Sequence, residues 1–371
     1  MRILFIIYSL GGGGAERVTA HSANYFAEIK KWEVAILTLA GHKDFYALSP
    51  KVVRIDAAVP AAPNGFPASF FVNLRRIIRI RKELSAFRPD LVVTEMPASN
   101  VLGILAATGT GRKVVIEERI HPPKMPLPPV WRLLRKITYP FASSAVALTR
   151  KTAAWFGEEA GVPGASVIPN PAVYPLEKTP PEVKRAEFLK ETRKFILSAG
   201  RFDGQKGFDL LIEAFSALSR KHPAWDLVIL GDGPDREKIK ELSEKMGLKG
   251  RVFFPGRAGN MGDWYEAAGI YALSSRFEGF PNVLIEAMSY GVPSVAFDCD
   301  TGPADIIRDG LDGILAPPEN IESFAAALDR LMSDGELRKK FSVKAAEVRE
   351  RFSMEKITVM WEQLFESLLK K

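Results

Sequence analysis

Short β-branched runs alternate with helical patterns along all 371 residues, and the alternation restarts in the middle of the chain. That order marks parallel α/β architecture, in which each strand crosses over through a helix to reach the next. In the first half, strands are expected at Ile3 to Tyr8, Val34 to Leu39, Leu91 to Thr94, Lys113 to Glu117 and Ala145 to Leu148. In the second half they are expected at Phe195 to Ala199, Leu227 to Leu230, Val252 to Phe254, Gly269 to Ala272 and Ser294 to Phe297. Both halves open alike, with an apolar strand, a glycine-rich loop and a helix, over residues 3–14 and 195–207. Between them, Pro169, Pro171 and Pro175 fall within seven residues and suit a stiff connection. The expected domains are therefore residues 1–172 and 173–352, closed by a helix over 353–371. In that helix Ser353 suits the N-cap, and Ile357, Met360, Trp361, Leu364, Phe365 and Leu368 recur at helical spacing. A helix this apolar needs a docking surface, which its own pattern does not identify.

Length allows each of two domains its own core. With 47% hydrophobic and 26% charged residues, disorder, collagen-like repeats and disulfide scaffolds are excluded. Cys299 has no second cysteine to bridge to, so a reducing cytoplasm is the expected compartment. No run approaches the roughly 18 apolar residues of a membrane span, and Met1 to Leu10 reads as a buried strand rather than a signal peptide. The net charge of +7 is uneven: residues 1–175 hold 22 Lys/Arg against 12 Asp/Glu, leaving 29 against 32 for residues 176–371. The excess of +10 in the first half asks for an anionic partner there, whether nucleic acid, membrane surface or phosphorylated substrate.

Three loops have the composition of anion or sugar sites. Gly11 to Gly14 follow the first strand and open a helix, where bare backbone and free N–H groups favour negative charge. A dinucleotide loop would need glycine at position 16 or 17, which are Glu16 and Arg17, and a tight turn without ligand is the competing reading. Gly200-Arg201-Phe202-Asp203-Gly204-Gln205-Lys206-Gly207 places two cations on a loop at a strand's carboxyl end, where a diphosphate can bind; alone, such a pair is more often solvated. In Glu278-Gly279-Phe280-Pro281-Asn282-Val283-Leu284-Ile285-Glu286, Pro281 suits a first helical turn, with one glutamate ahead of it and the other inside. Each carboxylate can accept from two neighbouring hydroxyls, as a sugar and a ribose would offer.

Together with Gly-Gly-Ala-Glu-Arg near the start, Gly231-Asp232-Gly233-Pro234 and Phe254-Pro255-Gly256, these motifs resemble the retaining enzymes of glycosyltransferase family 4. The resemblance implies the GT-B fold: two Rossmann-like domains facing across a cleft, acceptor on the first and nucleotide sugar on the second, the closing helix crossing back to the first. It implies that Arg201 and Lys206 clamp the donor diphosphate, that Glu286 binds the ribose, that Glu278 with the backbone of Gly279, Phe280 and Pro281 faces the donor sugar, and that Asn282 and Val283 also belong to the nucleotide-sugar site. Gly256 and Arg257 would border the base, and Gly13, Gly14 and Glu16 would meet phosphates or acceptor. Two cations and a helix N-terminus neutralise a leaving diphosphate without a metal or cofactor, so neither is expected. Asp298-Cys299-Asp300 spells the D-x-D of metal-dependent transferases of another fold, and is read as coincidental.

The chain departs from the family at Glu117-Glu118-Arg119-Ile120-His121, where a subgroup reads Ser-Glu-Arg-Asn. Glu118, Arg119 and His121 are candidates there, with His121 equally readable as an ordinary surface residue. On an expected helix over 71–87, Arg75, Arg76, Arg79 and Lys82 share one face opposite Leu74, Ile77, Ile80 and Leu84. Pro122 to Phe141 interleaves aromatic and basic side chains, as at the interface of an anionic membrane. The favoured acceptor is a polyprenyl-diphosphate-linked glycan, taken by an enzyme peripheral on the cytoplasmic face of the inner membrane. The alternatives are a soluble acceptor, a sugar-nucleotide epimerase of the same fold, and a nucleic-acid-binding protein, for which no recognisable module is present.

Overall fold

The computed structural model describes residues 1–41, 44–57, 59 and 66–370, with backbone alone at 66–68. Lys371, at the end of the closing segment, lies outside the described residues. The chain forms two compact units, Met1–Pro171 with Met354–Lys371, and Ala172–Ser353.

In the first unit, β1 (Arg2–Ile7), β2 (Glu33–Thr38), β3 (Val52–Asp56), β4 (Leu91–Glu95), β5 (Lys113–Glu118), β6 (Ser144–Ala147) and β7 (Ala165–Val167) form one sheet in the order β3-β2-β1-β4-β5-β6-β7. In the second, β8 (Lys194–Ala199), β9 (Trp225–Leu230), β10 (Val252–Gly256), β11 (Ile270–Leu273), β12 (Ser294–Phe297) and β13 (Gly313–Ala316) are ordered β10-β9-β8-β11-β12-β13. All pairings are parallel. The architecture is α/β with two Rossmann-like sheets, as expected. The central strands carry continuous apolar runs because helices cover both faces. Three strands escape the sequence reading: β3, β7 and β13. All three are edge strands; β3 is interrupted by Arg54 and Asp56, and β7 and β13, of three and four residues, are too short to stand out.

Along β1, Leu4 and Ile6 face one core and Ile3, Phe5 and Ile7 the other. The second of these cores is completed by the last helix, Met354–Leu369, which buries Ile357, Trp361, Leu364, Phe365 and Leu368 against it. Phe365 packs 6.3 Å from Phe26 and 5.3 Å from Trp361, and Lys30 pairs with Glu362 at 3.0 Å. Burying side chains of this size contributes about 1.5–3 kcal/mol each.

The helix Phe66–Phe87 corrects one expectation. Arg76 does not share a face with Arg75 and Lys82; it is buried with Ile80 and Leu84, while Leu74 is exposed. Residues 76, 80 and 84 form the ridge that packs inward. The Arg76 guanidinium is accommodated there by the Tyr8 ring, 5.4 Å away, and by Asn73 at 3.1 Å.

Candidate active site

In each unit the strand order reverses once, between β1 and β4 and between β8 and β11. Open α/β sheets bind ligands beyond the strands' carboxyl ends at such points. The loops after β8 and β11 thus leave the second sheet side by side, and hydrogen bonds lock them together. The Ser274 hydroxyl donates to the Lys206 carbonyl at 2.9 Å, the Arg276 amide to the Gln205 carbonyl at 2.8 Å, and the Gln205 side-chain amide to the Phe277 carbonyl at 2.9 Å. Gly207 has φ +60°, and a Cβ there would stand 2.1 Å from the Ser274 carbonyl oxygen, so glycine is required for this approach. The Arg276 guanidinium adds bonds to both Asp209 oxygens, at 2.9 and 2.6 Å, and to the Gly204 carbonyl at 2.9 Å.

This framework brings Lys206 Nζ to 2.6 Å from Glu278 Oε1, which also accepts from the Ser275 hydroxyl at 2.6 Å. Glu278 is buried, and its carbonyl accepts from the Thr301 hydroxyl. Gly279 and Pro281 follow, also buried, and Phe280 packs edge-on against Phe352 at 5.6 Å. The helix then runs over Asn282–Ser289; Pro281 is its N-cap rather than its first turn, and Asn282 and Val283 are half-buried. Glu286, inside the helix, is buried and accepts from the Tyr265 hydroxyl at 3.1 Å. Gly256 ends β10 with φ +90°, and Arg257 after it is exposed. Arg201 does not join Lys206: its side chain is 73% exposed, and its guanidinium stands 3.8 Å from Asp203. Asp298 and Asp300 are both exposed, on either side of buried Cys299. Burial, with the Glu278 charge nearby, pushes the Cys299 thiol up to about 12, so it is inert as a nucleophile.

In the first unit, Gly13 is the N-cap of the helix Gly14–Glu28. The Glu16 carboxylate folds back over it, for a Cβ on Gly13 would lie 2.2 Å from Glu16 Oε2. The helix N-terminus thus already holds a negative group of its own. Beyond β4 and β5 lies a buried polar cluster. Arg119 meets Glu95 at 3.1 Å, Glu117 at 3.1 Å and Asn170 Oδ1 at 2.7 Å, and Thr19 donates to Glu95 at 2.6 Å. Burial pushes the Glu117 carboxyl up to about 8, against the pull of Arg119, and Glu95 shifts the same way for the same reason. Burial also raises Glu118, to about 7, although Tyr139 donates to it and Asn100 donates in turn to the Tyr139 oxygen at 3.0 Å. His121 is not a surface residue: it is 5% exposed, with Nδ1 3.3 Å from the Thr152 hydroxyl. Glu118, Arg119 and His121 are therefore all inside the fold, and Arg119 is enclosed by Glu95, Glu117 and Asn170.

Of the four expected basic residues on Phe66–Phe87, Arg75 and Lys82 are exposed and Arg79 pairs with Glu83 at 3.1 Å. Arg76 is buried, and its Nε and Nη2 have no hydrogen-bond partner among the described residues. Sequence reasoning missed Glu95, Thr19, Asn100, Tyr139, Asn170, Ser275 and Arg276. One signal was available for Glu95: like Glu117 and Glu118, it is a carboxylate closing an apolar strand.

Two parallel sheets, each with loops that leave beyond its own switch point, make up the architecture of the GT-B fold. Residues 12–172 match the family model Glycosyltransferase Family 4, and residues 181–348 match Glycosyl transferases group 1; the chain belongs to these glycosyltransferase families. It is 34% identical to an exopolysaccharide phosphotransferase of Streptomyces coelicolor over 79% of this chain, but spans only 30% of that protein's length. It is 27% identical, over 98% of both chains, to the GalNAc-alpha-(1->4)-GalNAc-alpha-(1->3)-diNAcBac-PP-undecaprenol alpha-1,4-N-acetyl-D-galactosaminyltransferase of Campylobacter jejuni. Among solved structures, Anabaena HepE in complex with UDP and glucose superimposes with TM-score 0.76 at 21% identity, covering 99% of this chain and 100% of HepE.

Proposed function

We propose that this glycosyltransferase acts in bacterial surface-glycan assembly, moving a sugar from UDP to a hydroxyl of a polyprenyl-diphosphate-linked glycan, with retention and without a metal. The observation that carries the donor half is the Lys206–Glu278 pair beyond the switch point of the second sheet. A diphosphate drawn to Lys206 would compete with Glu278 for the ammonium and leave that carboxylate to accept from sugar hydroxyls. Arg201, exposed on the same loop, can swing to the other phosphate, while the amides that open the helix Asn282–Ser289 stabilise charge developing on it. Glu286 then takes the ribose, and Gly256 and Arg257 border the base. As the acceptor oxygen bonds to the anomeric carbon, the electron pair of the broken bond stays on the diphosphate. In a same-face attack its departing oxygen takes the acceptor's proton.

The acceptor half is supported by Arg76, whose two unpartnered nitrogens beside Tyr8 suit a phosphate, and by the undecaprenol-linked acceptor in the Campylobacter relative's name. The test is a screen of UDP- and GDP-sugars for nucleotide release with and without a polyprenyl-diphosphate sugar. Release should require UDP-sugar and lipid-linked acceptor together, and Lys206→Ala or Glu286→Ala should lower it by about a hundredfold or more. Full activity in either variant overturns the donor-site assignment, and equal turnover on a soluble glycan overturns the acceptor. Interconversion of UDP-sugars without any acceptor would instead mark an epimerase.

A further inference from the structure

Seventeen large hydrophobic residues are exposed among the described residues, and eight of them lie on two short stretches of the first unit. Phe70, Phe71, Leu74 and Ile78 are on the helix Phe66–Phe87, exposed by 57%, 60%, 41% and 61%. At about 100° per residue they fall within an arc of about 100° of that helix's circumference. Val130, Leu133 and Ile137 on the helix Pro129–Thr138, and Phe141 just beyond it, are exposed by 47%, 58%, 54% and 76%. Both helices pack on Pro97–Ala107, which is almost wholly buried, so their outer faces belong to one side of the first unit.

Charge follows the same two stretches. Residues 66–88 hold six Lys/Arg against Glu83 alone, and residues 122–141 hold four against no acid, which accounts for nine of the first half's ten excess charges. Arg75, Arg81, Lys82, Lys124, Arg132 and Lys136 are all exposed, while Glu83 is engaged by Arg79. Bare aromatic and aliphatic side chains are costly in water, and bordered by exposed cations they match a surface that is apolar inside and anionic at its rim. A second copy of this chain would set cation against cation here.

We propose that the outer faces of Phe66–Phe87 and Pro129–Phe141 dock the enzyme on an anionic lipid bilayer. The eight apolar side chains enter the acyl boundary and the flanking cations lie among the headgroups. This goes beyond the proposed reaction and does not depend on which sugar is moved.

The test is flotation of the full chain with phosphatidylglycerol-containing vesicles and with pure phosphatidylcholine, in the absence of donor and acceptor. Binding is expected to the anionic vesicles and to weaken with salt. Phe70→Ser with Phe71→Ser, and separately Leu133→Gln with Ile137→Gln, should each lower vesicle affinity by about tenfold or more at an unchanged unfolding midpoint. Absence of binding at low salt overturns the proposal, as does undiminished binding by both variants. A wild-type dimer in solution that these substitutions turn monomeric also overturns it, since a second copy then covers the face. Acceptor-dependent nucleotide release in detergent, measured in parallel, tests the proposed reaction separately: its loss with binding intact overturns the reaction and leaves the docking face standing.

Discussion

Glu117 makes a prediction at the level of a single proton. Burial holds its carboxyl near 8, so the folded chain keeps a proton that the unfolded chain loses above about pH 4–5. More protons are bound folded than unfolded across that window, so stability falls as pH rises through it and levels off above about 8. Glu118, raised to about 7, and Glu95 act in the same sense. The thermal midpoint should therefore be lower at pH 8.5 than at pH 6, and Glu117→Gln should flatten the profile and raise the midpoint at pH 8.5. An unaltered slope in the variant would show that Glu117 is ionised in the fold. The aspartates of Asp298-Cys299-Asp300 make a second prediction: the buried thiol between them turns the pair outward, and EDTA should leave turnover intact. Activity lost to EDTA and restored by Mn²⁺ would reverse that reading.

Among elements, the loops after β8 and β11 are coupled through Arg276, which grips Asp209 with both guanidinium arms and holds the Gly204 carbonyl. Arg276→Ala frees the loop carrying Lys206 without touching the Lys206–Glu278 pair. Steady-state kinetics should show a loss of about tenfold in kcat/KM for the donor, since misplacing a clamp by a fraction of an ångström costs rate. The unfolding midpoint should change little, because the guanidinium is only partly buried. If kinetics are untouched, the loop is held without it. Element legibility followed length and composition: the ten strands anticipated from apolar runs are all present, whereas β3 is interrupted by Arg54 and Asp56, and β7 and β13, of three and four residues, are too short to stand out.

At the scale of the whole molecule, the chain returns after Ser353 to the unit in which it began. Truncation after Phe352 would uncover Ile3, Phe5, Phe26 and Trp32, which the last helix now covers. The truncated protein should lose residues 1–171 to limited proteolysis while 172–352 stays protected; survival of both would show that the first sheet stands without this helix. Phe365→Ala is the milder version, expected to cost about 3–5 kcal/mol in chemical denaturation.

By itself the sequence determined the two parallel sheets, the glycine-rich loops after their first strands and the helix entry between Glu278 and Glu286. These are local patterns: apolar runs, glycines and caps within about ten residues of one another. Only the tertiary structure decided that Arg76 faces inward, that Arg201 stands apart from Lys206, and that Arg119 is enclosed by Glu95 and Glu117. It also joined Thr19 to Glu95 across 76 residues of chain. Whether a charged side chain is solvated, paired or buried is set by what packs against it from distant segments, and spacing along one element carries no record of that.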